Sequence, residues 1–176
     1  MKRLLLSLFC LMLIPSASHA AAYRDRAWPL TLDVPEGWRV SAVGEGAKRE
    51  LAAHPKSMED RERGDARARF TWRKAGRGDV LGRLERRYRK ASGGREAADA
   101  VRLDRKRGRL EVDYRQSENV ANGLWIVRRH LRVMQLGADG RQLLDADCSA
   151  NASEFHHYRQ DFARLCRSLR VGGSKR

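Results

Sequence analysis

The chain has 176 residues, with 37 Lys and Arg against 22 Asp and Glu and a net charge of +15 at pH 7. That length supports one domain with a real core rather than two, and no stretch beyond the N-terminal one approaches membrane-spanning length. The basic balance favours anionic partners: lipid headgroups, lipopolysaccharide, acidic glycans or an acidic protein surface. A codon bias toward arginine would give the same count without any binding role.

Residues 1–20 read as a cleaved signal peptide. Lys2 and Arg3 form a positive start, Leu4 to Ile14 is an apolar run too short for an anchor, and Pro15 breaks it. Ser18-His19-Ala20 then places small residues at −3 and −1 of a cleavage site. Cys10 lacks the small residues that precede a lipid-modified cysteine. Removing the segment leaves a charge of about +13 and a protein expected in the periplasm of a Gram-negative cell or outside it. Export makes nucleic acid an unexpected partner.

The mature chain opens with Leu30, Leu32 and Val34 alternating with polar residues, the period of a half-buried strand. Pro35-Glu36-Gly37 is a tight turn, and Trp38-Arg39-Val40 begins a second strand. Leu51-Ala52-Ala53 suggests a third. Residues 55–65 are polar and are expected as a mobile loop. Ala66 to Arg73 alternates again, with arginine or threonine on one face.

After Gly76-Arg77-Gly78, Asp79 is the expected N-cap of a helix whose Val80, Leu81, Leu84, Tyr88 and Ala91 share about 100° of arc. Its flank, Arg83, Arg86, Arg87 and Lys90, reads as a solvated face rather than a binding patch. Ser92-Gly93-Gly94 ends it. A weak strand lies near Val101 and Leu103. A stronger one has Leu110, Val112 and Tyr114 inward and Arg109, Glu111, Asp113 and Arg115 outward. The longest strand runs from Leu124 to Leu136. Its first four residues are apolar on both faces, so cover on both sides is expected; its later half is expected to expose Arg128, His130 and Arg132.

Gly137-Ala138-Asp139-Gly140 closes a hairpin onto a strand from Leu143 to Ala150. Pairing Leu136 with Arg141 sets Arg132 opposite Asp145 and His130 opposite Asp147, and a two-residue slip changes the partners but not the face. Leu131, Val133, Leu144, Ala146 and Cys148 form the core side. Asn151 and Glu154 match a capping box, and an amphipathic helix is expected from about Glu154 to Arg170. Phe155, Tyr158, Phe162, Leu165, Cys166 and Leu169 fall within roughly 100° of it. Residues 172–176 are expected as a disordered basic tail.

Cys148 and Cys166 are the cysteines that remain after the signal peptide. In an oxidising compartment they can pair, stabilising the fold by about 3 kcal/mol; two buried reduced thiols are the alternative. They are not in a CxxC arrangement, which argues against a redox role.

Little recognisable chemistry accompanies this framework. His54, His130, His156 and His157 form no HxH or HxxxH pair, so no metal site is expected. Nucleophile-elbow, P-loop and dinucleotide-glycine motifs are absent, and no cofactor is implied. His130, Asp145 and Asp147 could support general base chemistry, but a salt-bridge ladder explains them as well, with Glu111 and Asp113 on another strand possible neighbours. The best candidate binding surface is a cationic sheet face carrying Arg67, Arg69, Arg73, Arg115, Arg128 and Arg132, lined by Thr71 and His130. It would suit a carboxylate, phosphate or acidic segment. Glu111, Asp113, Asp145 and Asp147 share that parity by alternation and could neutralise much of it.

The strand running into Pro35-Glu36-Gly37-Trp38, the antiparallel meander and the ending Phe162-Ala163-Arg164-Leu165-Cys166-Arg167-Ser168-Leu169-Arg170 resemble the Mog1/PsbP-like fold, which includes DcrB-like bacterial proteins. The resemblance spans about residues 23–171, though the aromatic-glycine pair often found before the first strand is missing. It implies a single α+β domain over 21–171: an α/β/α sandwich, an antiparallel β-sheet flanked by helices, with the C-terminal helix packed on the sheet. It also implies an accessory or adaptor protein acting by binding other proteins, with no shared active site. The expected function is therefore an exported, non-enzymatic binding protein with a protein partner. The alternatives are a binder of an anionic envelope component and a hydrolase using the His130/Asp147 region.

Overall fold

A computed structural model describes residues 21–46, 49–121 and 123–171. The expected signal peptide and basic tail lie outside the described residues. The elements are β1 (Ala21–Arg24), β2 (Leu30–Val34), β3 (Trp38–Val43), β4 (Glu50–Pro55), α1 (Met58–Gly64), β5 (Arg67–Lys74), α2 (Leu81–Tyr88), β6 (Ala100–Asp104), β7 (Arg109–Ala121), β8 (Leu124–Leu136), β9 (Gln142–Asn151), α3 (Phe155–Phe162), a π-helical turn (Ala163–Arg167) and β10 (Arg170–Val171).

Seven strands form one sheet in the order β3-β4-β5-β9-β8-β7-β6, and β1-β2-β10 form a second, smaller sheet. Every pairing is antiparallel. The chain therefore has the α+β architecture expected of it, with helices on both faces of the large sheet. The opening strand forms where the alternation places it, with Leu30, Leu32 and Val34 buried, and it belongs to the small sheet, where β10 pairs Arg170 with Thr31.

One face of the large sheet is closed by the small sheet, α3 and the π-helical turn. Leu30, Leu32, Leu51, Phe70, Val133, Ala146, Phe162 and Leu165 meet there in one buried cluster. The whole predicted arc of the last helix is buried. Trp38, which follows Gly37 (φ +78°) in the tight turn, sets its ring edge-on to Phe162 at 5.8 Å, and its Nε1 donates to Asp161 at 2.8 Å. Cys148 and Cys166 are joined by a disulfide with their Cα atoms 6.4 Å apart. The α-helix is shorter than expected: it widens into the π-helical turn at Ala163 and stops, and Arg109 donates to the carbonyls of Cys166, Arg167 and Leu169. These donations satisfy carbonyls that the end of a helix would leave bare.

The other face is covered at one end by α2 and by Arg95 and Ala98 in the segment after it. Leu81 and Tyr88 pack on Leu110, Val112, Tyr114, Met134 and Leu143. Two turns cannot cover seven strands, so the middle of this face, over β5, β9 and β8, stays open.

Three local expectations are corrected. Residues 58–64 form a helix, N-capped by the Ser57 hydroxyl, rather than a loop. Asp79 does not cap α2: its carboxylate is drawn instead to the Gly76 amide at 2.7 Å and the Arg73 guanidinium at 2.6 and 2.8 Å, leaving Val80 at the cap without a side-chain bond. The Asn151/Glu154 capping box does not form, because Asn151 stays in β9 opposite Arg128 and its Nδ2 donates to the Arg63 carbonyl.

Candidate functional site

Strand parity decides which side chains reach the open face. The ladders set Leu136 opposite Leu143, Arg132 opposite Asp147 and His130 opposite Ser149, two residues from the expected register. The slip preserves the face, and the expected partners meet diagonally. Arg132 binds Asp145 through Nε at 2.8 Å and Nη2 at 2.5 Å, and His130 Nδ1 lies 2.9 Å from Asp147 Oδ1. On β5, Arg67, Arg69, Thr71 and Arg73 lie opposite Ser149, Asp147, Asp145 and Leu143, completing the same face.

Of the candidate residues, Arg67, Arg69, Arg73, Arg128, His130 and Arg132 therefore share one side of the sheet, but not one role. Arg69 is exposed and stands across from Asp147. Arg73 is held by Asp79, and Arg67 lies 3.8 Å from Glu118. Arg132 also donates to the Tyr88 hydroxyl at 2.7 Å, tying α2 to the sheet. Arg128 and His130, expected to be exposed, are buried at 0% and 3% exposure. Arg128 clamps the turn after α1, binding the carboxylate and carbonyl of Asp65 and the Ser149 hydroxyl. Asp65 adopts a left-handed φ of 43° there. Arg115 lies on the other face of the sheet, as do Glu111 and Asp113, which pair with Arg167 and Arg129. Those two carboxylates therefore take no part in neutralising the open face, contrary to their expected parity.

Two adjoining hollows occupy the open face. One, of about 340 Å³, runs under α2 and is lined by Arg73, Asp79, Arg87, Arg95, Arg132 and Asp145 among others. The second, of about 310 Å³, includes Glu50, Arg69, Glu118, His130, Arg132 and Asp147 in its lining. The first is richer in cations and the second in carboxylates, so the face as a whole is close to charge-balanced rather than cationic. Burial opposes ionisation of Asp147, but the His130 hydrogen bond and the charges of His130, Arg132 and Arg69 outweigh it and lower its pKa. Burial likewise opposes the charge on Arg132, and Asp145 more than offsets it, raising its pKa. Tyr114, stacked on the His130 ring at 4.7 Å and 5°, is pushed up by burial and then by the Asp147 charge.

His130 Nε2 is buried and has no hydrogen-bond partner among the described residues; the Glu118 carboxylate lies 3.9 Å from it. The hydroxyls lining its hollow belong to Thr71 and Tyr114, and neither bonds the imidazole among the described contacts. No group of three or more His, Cys, Asp or Glu among the described residues is placed to hold a metal ion.

The feature that sequence reasoning missed lies at the far end of β7 and β8. Each strand has 13 residues, but β9 ends at Asn151, opposite Arg128. Beyond that point the two strands continue as an arm with no third strand beside them among the described residues. Leu124 and Trp125 are each 62% exposed there, and Val120 and Val127 are also exposed. The run expected to be covered on both sides is uncovered. Residues 119–127 contain no charge. That signal was visible, but a continuous apolar run reads the same way whether a strand is buried or left bare.

No protein-family model and no curated protein matches the sequence. Several solved structures are similar in fold, three of them as follows. The solution structure of cyanobacterial PsbP (CyanoP) from Synechocystis sp. PCC 6803 is 17% identical with a TM-score of 0.54, over 88% of this chain and 93% of that one. A crystal structure from Bacteroides thetaiotaomicron is 11% identical with a TM-score of 0.54, over 90% of this chain but 50% of that one. LpqN of Mycobacterium tuberculosis, a protein involved in cell envelope biogenesis, is 11% identical with a TM-score of 0.49, over 89% of this chain and 87% of that one. The chain has the PsbP-like fold that its short motifs resemble.

Proposed function

We propose that the protein is an exported, non-enzymatic accessory protein that docks a protein partner through the β7–β8 arm. The observation that carries this reading is the exposure of Leu124 and Trp125, with Val120 and Val127, on a two-stranded projection. Scattered surface apolar residues need no explanation, but several gathered on one projection with a tryptophan do. Tryptophan buries a large area at low entropic cost and is enriched where interfaces concentrate their energy. The Cys148–Cys166 disulfide supports an oxidising compartment, and the export signal expected in residues 1–20 agrees with it. The fold by itself assigns no activity.

The hydrolase reading is weaker. His130 is held through Nδ1 by Asp147 and lies flat against Tyr114. A general base needs a hydroxyl or water within reach of its free nitrogen, and the neighbour of Nε2 is the Glu118 carboxylate.

A photoreactive phenylalanine analogue in place of Leu124 tests the proposal in the host's envelope fraction. The expected result is one adduct of defined mass that persists in about 0.5 M NaCl, where exposed charge contacts are screened, and that disappears in Trp125→Ser. The same probe at Arg77 should give none. Equal labelling at both positions, or no adduct at Leu124, would defeat the reading. An adduct of twice the chain mass would identify a second copy as the occupant instead.

A further inference from the structure

The chain carries a second uncommitted surface, at the end of the sheet opposite the arm. The turn between β6 and β7 sits at the start of β7, and the arm sits at its end. The first half of α2 lies beside that turn, since Arg105 reaches Glu85 at 3.8 Å. Residues 83–90 and 102–109 together hold ten Lys and Arg and two carboxylates, Glu85 and Asp104. Arg102 and Arg109 point to the α3 face, toward Glu111 and the π-helical turn, which leaves eight cations and two carboxylates on the α2 side.

Half of the ten cations are spent internally: Arg109 is held by the carbonyls that end the π-helical turn, and four others face carboxylates. Glu85 takes Arg89 and Arg105, Asp104 takes Arg107, and Arg102 stands 3.8 Å from Glu111. Among the described residues, no carboxylate lies within ion-pair distance of Arg83, Arg86, Arg87, Lys90 or Lys106. A hollow of about 390 Å³ is lined by Arg83, Arg86, Arg87, Arg89 and Lys90 alone.

The arrangement works against the helix that carries it. Arg83–Arg86, Arg83–Arg87, Arg86–Lys90 and Arg87–Lys90 are like-charge pairs at i,i+3 or i,i+4, which destabilise a helix. The first turn of α2 has no acidic residue and its cap makes no side-chain bond, so the N-terminal end of its dipole is uncompensated, while Arg86 and Arg87 suit the C-terminal end. A solvated face would serve as well with carboxylates interspersed. An anionic surface laid against this end would relieve every one of these repulsions at once.

We propose that α2 and the β6–β7 turn form an electrostatic docking face for a bilayer rich in phosphate-diester headgroups, held by the unpaired cations of α2. The face is densely charged, with Val80 the exposed large apolar side chain at its helix cap, whereas Leu124 and Trp125 lie at the other end of β7 and β8. The protein would thus lie on an anionic leaflet and present the arm away from it. This inference does not depend on the arm's partner: the two faces share no residue and can fail separately.

Co-sedimentation of the purified protein with vesicles tests it. Vesicles of equimolar phosphatidylglycerol and phosphatidylcholine should bind the protein, phosphatidylcholine alone should not, and about 0.5 M NaCl should release it. The quadruple variant Arg83→Gln/Arg86→Gln/Arg87→Gln/Lys90→Gln should weaken binding by about a hundredfold or more, since each cation near an anionic leaflet contributes several-fold. A variant of equal net charge, Arg24→Gln/Arg26→Gln/Arg39→Gln/Arg115→Gln, should lose no more than about threefold, from the long-range field alone.

Equal losses in the two variants would overturn the site, as would absent binding by the unaltered protein. Release by millimolar glycerol phosphate would overturn the membrane assignment in favour of a small-anion site. Should the quadruple variant fold poorly, the half-variants Arg83→Gln/Arg86→Gln and Arg87→Gln/Lys90→Gln must each weaken binding by about tenfold. A half-variant that binds as tightly as the unaltered protein would remove its cations from the site.

Discussion

The two faces of the large sheet are closed by opposite means. On the α3 side, Phe162, Leu165, Cys166 and Leu169 are buried with the small sheet, and a disulfide ties the helix to the strand beneath it. On the α2 side, a helix of eight residues contributes Leu81, Tyr88 and part of Leu84, and the rest of the face is bridged by Arg132–Asp145, His130–Asp147 and Arg73–Asp79. Apolar burial is non-directional and scales with area, whereas ion pairs gain little net stability but fix geometry. The α3 side is therefore the stabilising side, and the α2 side is where shape and charge can vary without losing the fold.

Core truncation should separate the faces most clearly. Phe162→Ala removes a fully buried ring and should cost about 4 kcal/mol, while Leu81→Ala, at the rim of the smaller core, should cost about 2 kcal/mol. Urea midpoints at unchanged slope would measure both. Equal costs would mean that α2 is as much a part of the stabilising core as α3.

The disulfide comes next. Its sequence separation of 18 residues corresponds to a loop whose closure is worth about 3 kcal/mol on the chain-entropy model. Reductant, or Cys148→Ser/Cys166→Ser, should lower unfolding stability by about that amount. A urea midpoint indifferent to reductant would show that packing alone holds α3 to β9.

The ion-paired face makes a different prediction. Arg132→Met leaves Asp145 buried without its partner and should cost about 2 kcal/mol, less than a fully buried pair because Arg132 is partly solvated. Adding Asp145→Leu should recover most of that loss, since it removes the stranded charge. A double variant less stable than Arg132→Met would mean that the pair stabilises the fold outright rather than specifying it.

The α3 side was legible in the sequence because burial there follows a single period. Phe155, Tyr158, Phe162, Leu165, Cys166 and Leu169 announce their face, and Cys148 shares it by strand alternation. The open face was legible in parity but not in detail. Register moved by two residues because the hairpin loop includes Arg141, with Gly137 donating to the Gln142 carbonyl. The ion pairs survived because a long guanidinium reaches diagonally as easily as straight across. Asn151 and Asp79 were misread because a capping side chain has competitors that local sequence does not show: the Arg63 carbonyl for one, the Arg73 guanidinium for the other. Arg128 and Trp125 exchanged their expected environments for one reason. Burial at that end of β8 depends on where β9 stops and where the turn after α1 lands, and both are long-range facts.

The smallest expected effect is the most specific to the α2 side. Asp79 is held at about 2 by the Arg73 hydrogen bond, which outweighs burial, with help from the Gly76 amide and the charges of Arg73 and Arg132. A carboxyl whose folded pKa lies below its unfolded value of about 3.9 releases its proton more readily in the folded state. Its contribution to stability is complete above pH 4 or so and fades as pH falls toward about 2. Because Arg73 is substantially exposed, solvent and salt screen the pair, and the contribution should be under about 1 kcal/mol. Asp79→Asn keeps an oxygen for the Gly76 amide but gives up the charge. The stability difference between the two proteins should be present at pH 6, shrink between pH 4 and 2, and narrow with added salt, whereas the effect of Phe162→Ala should hold nearly constant over the same range. A difference for Asp79→Asn that stayed flat with pH would mean that the Arg73–Asp79 bridge shapes the loop before α2 without stabilising it through charge.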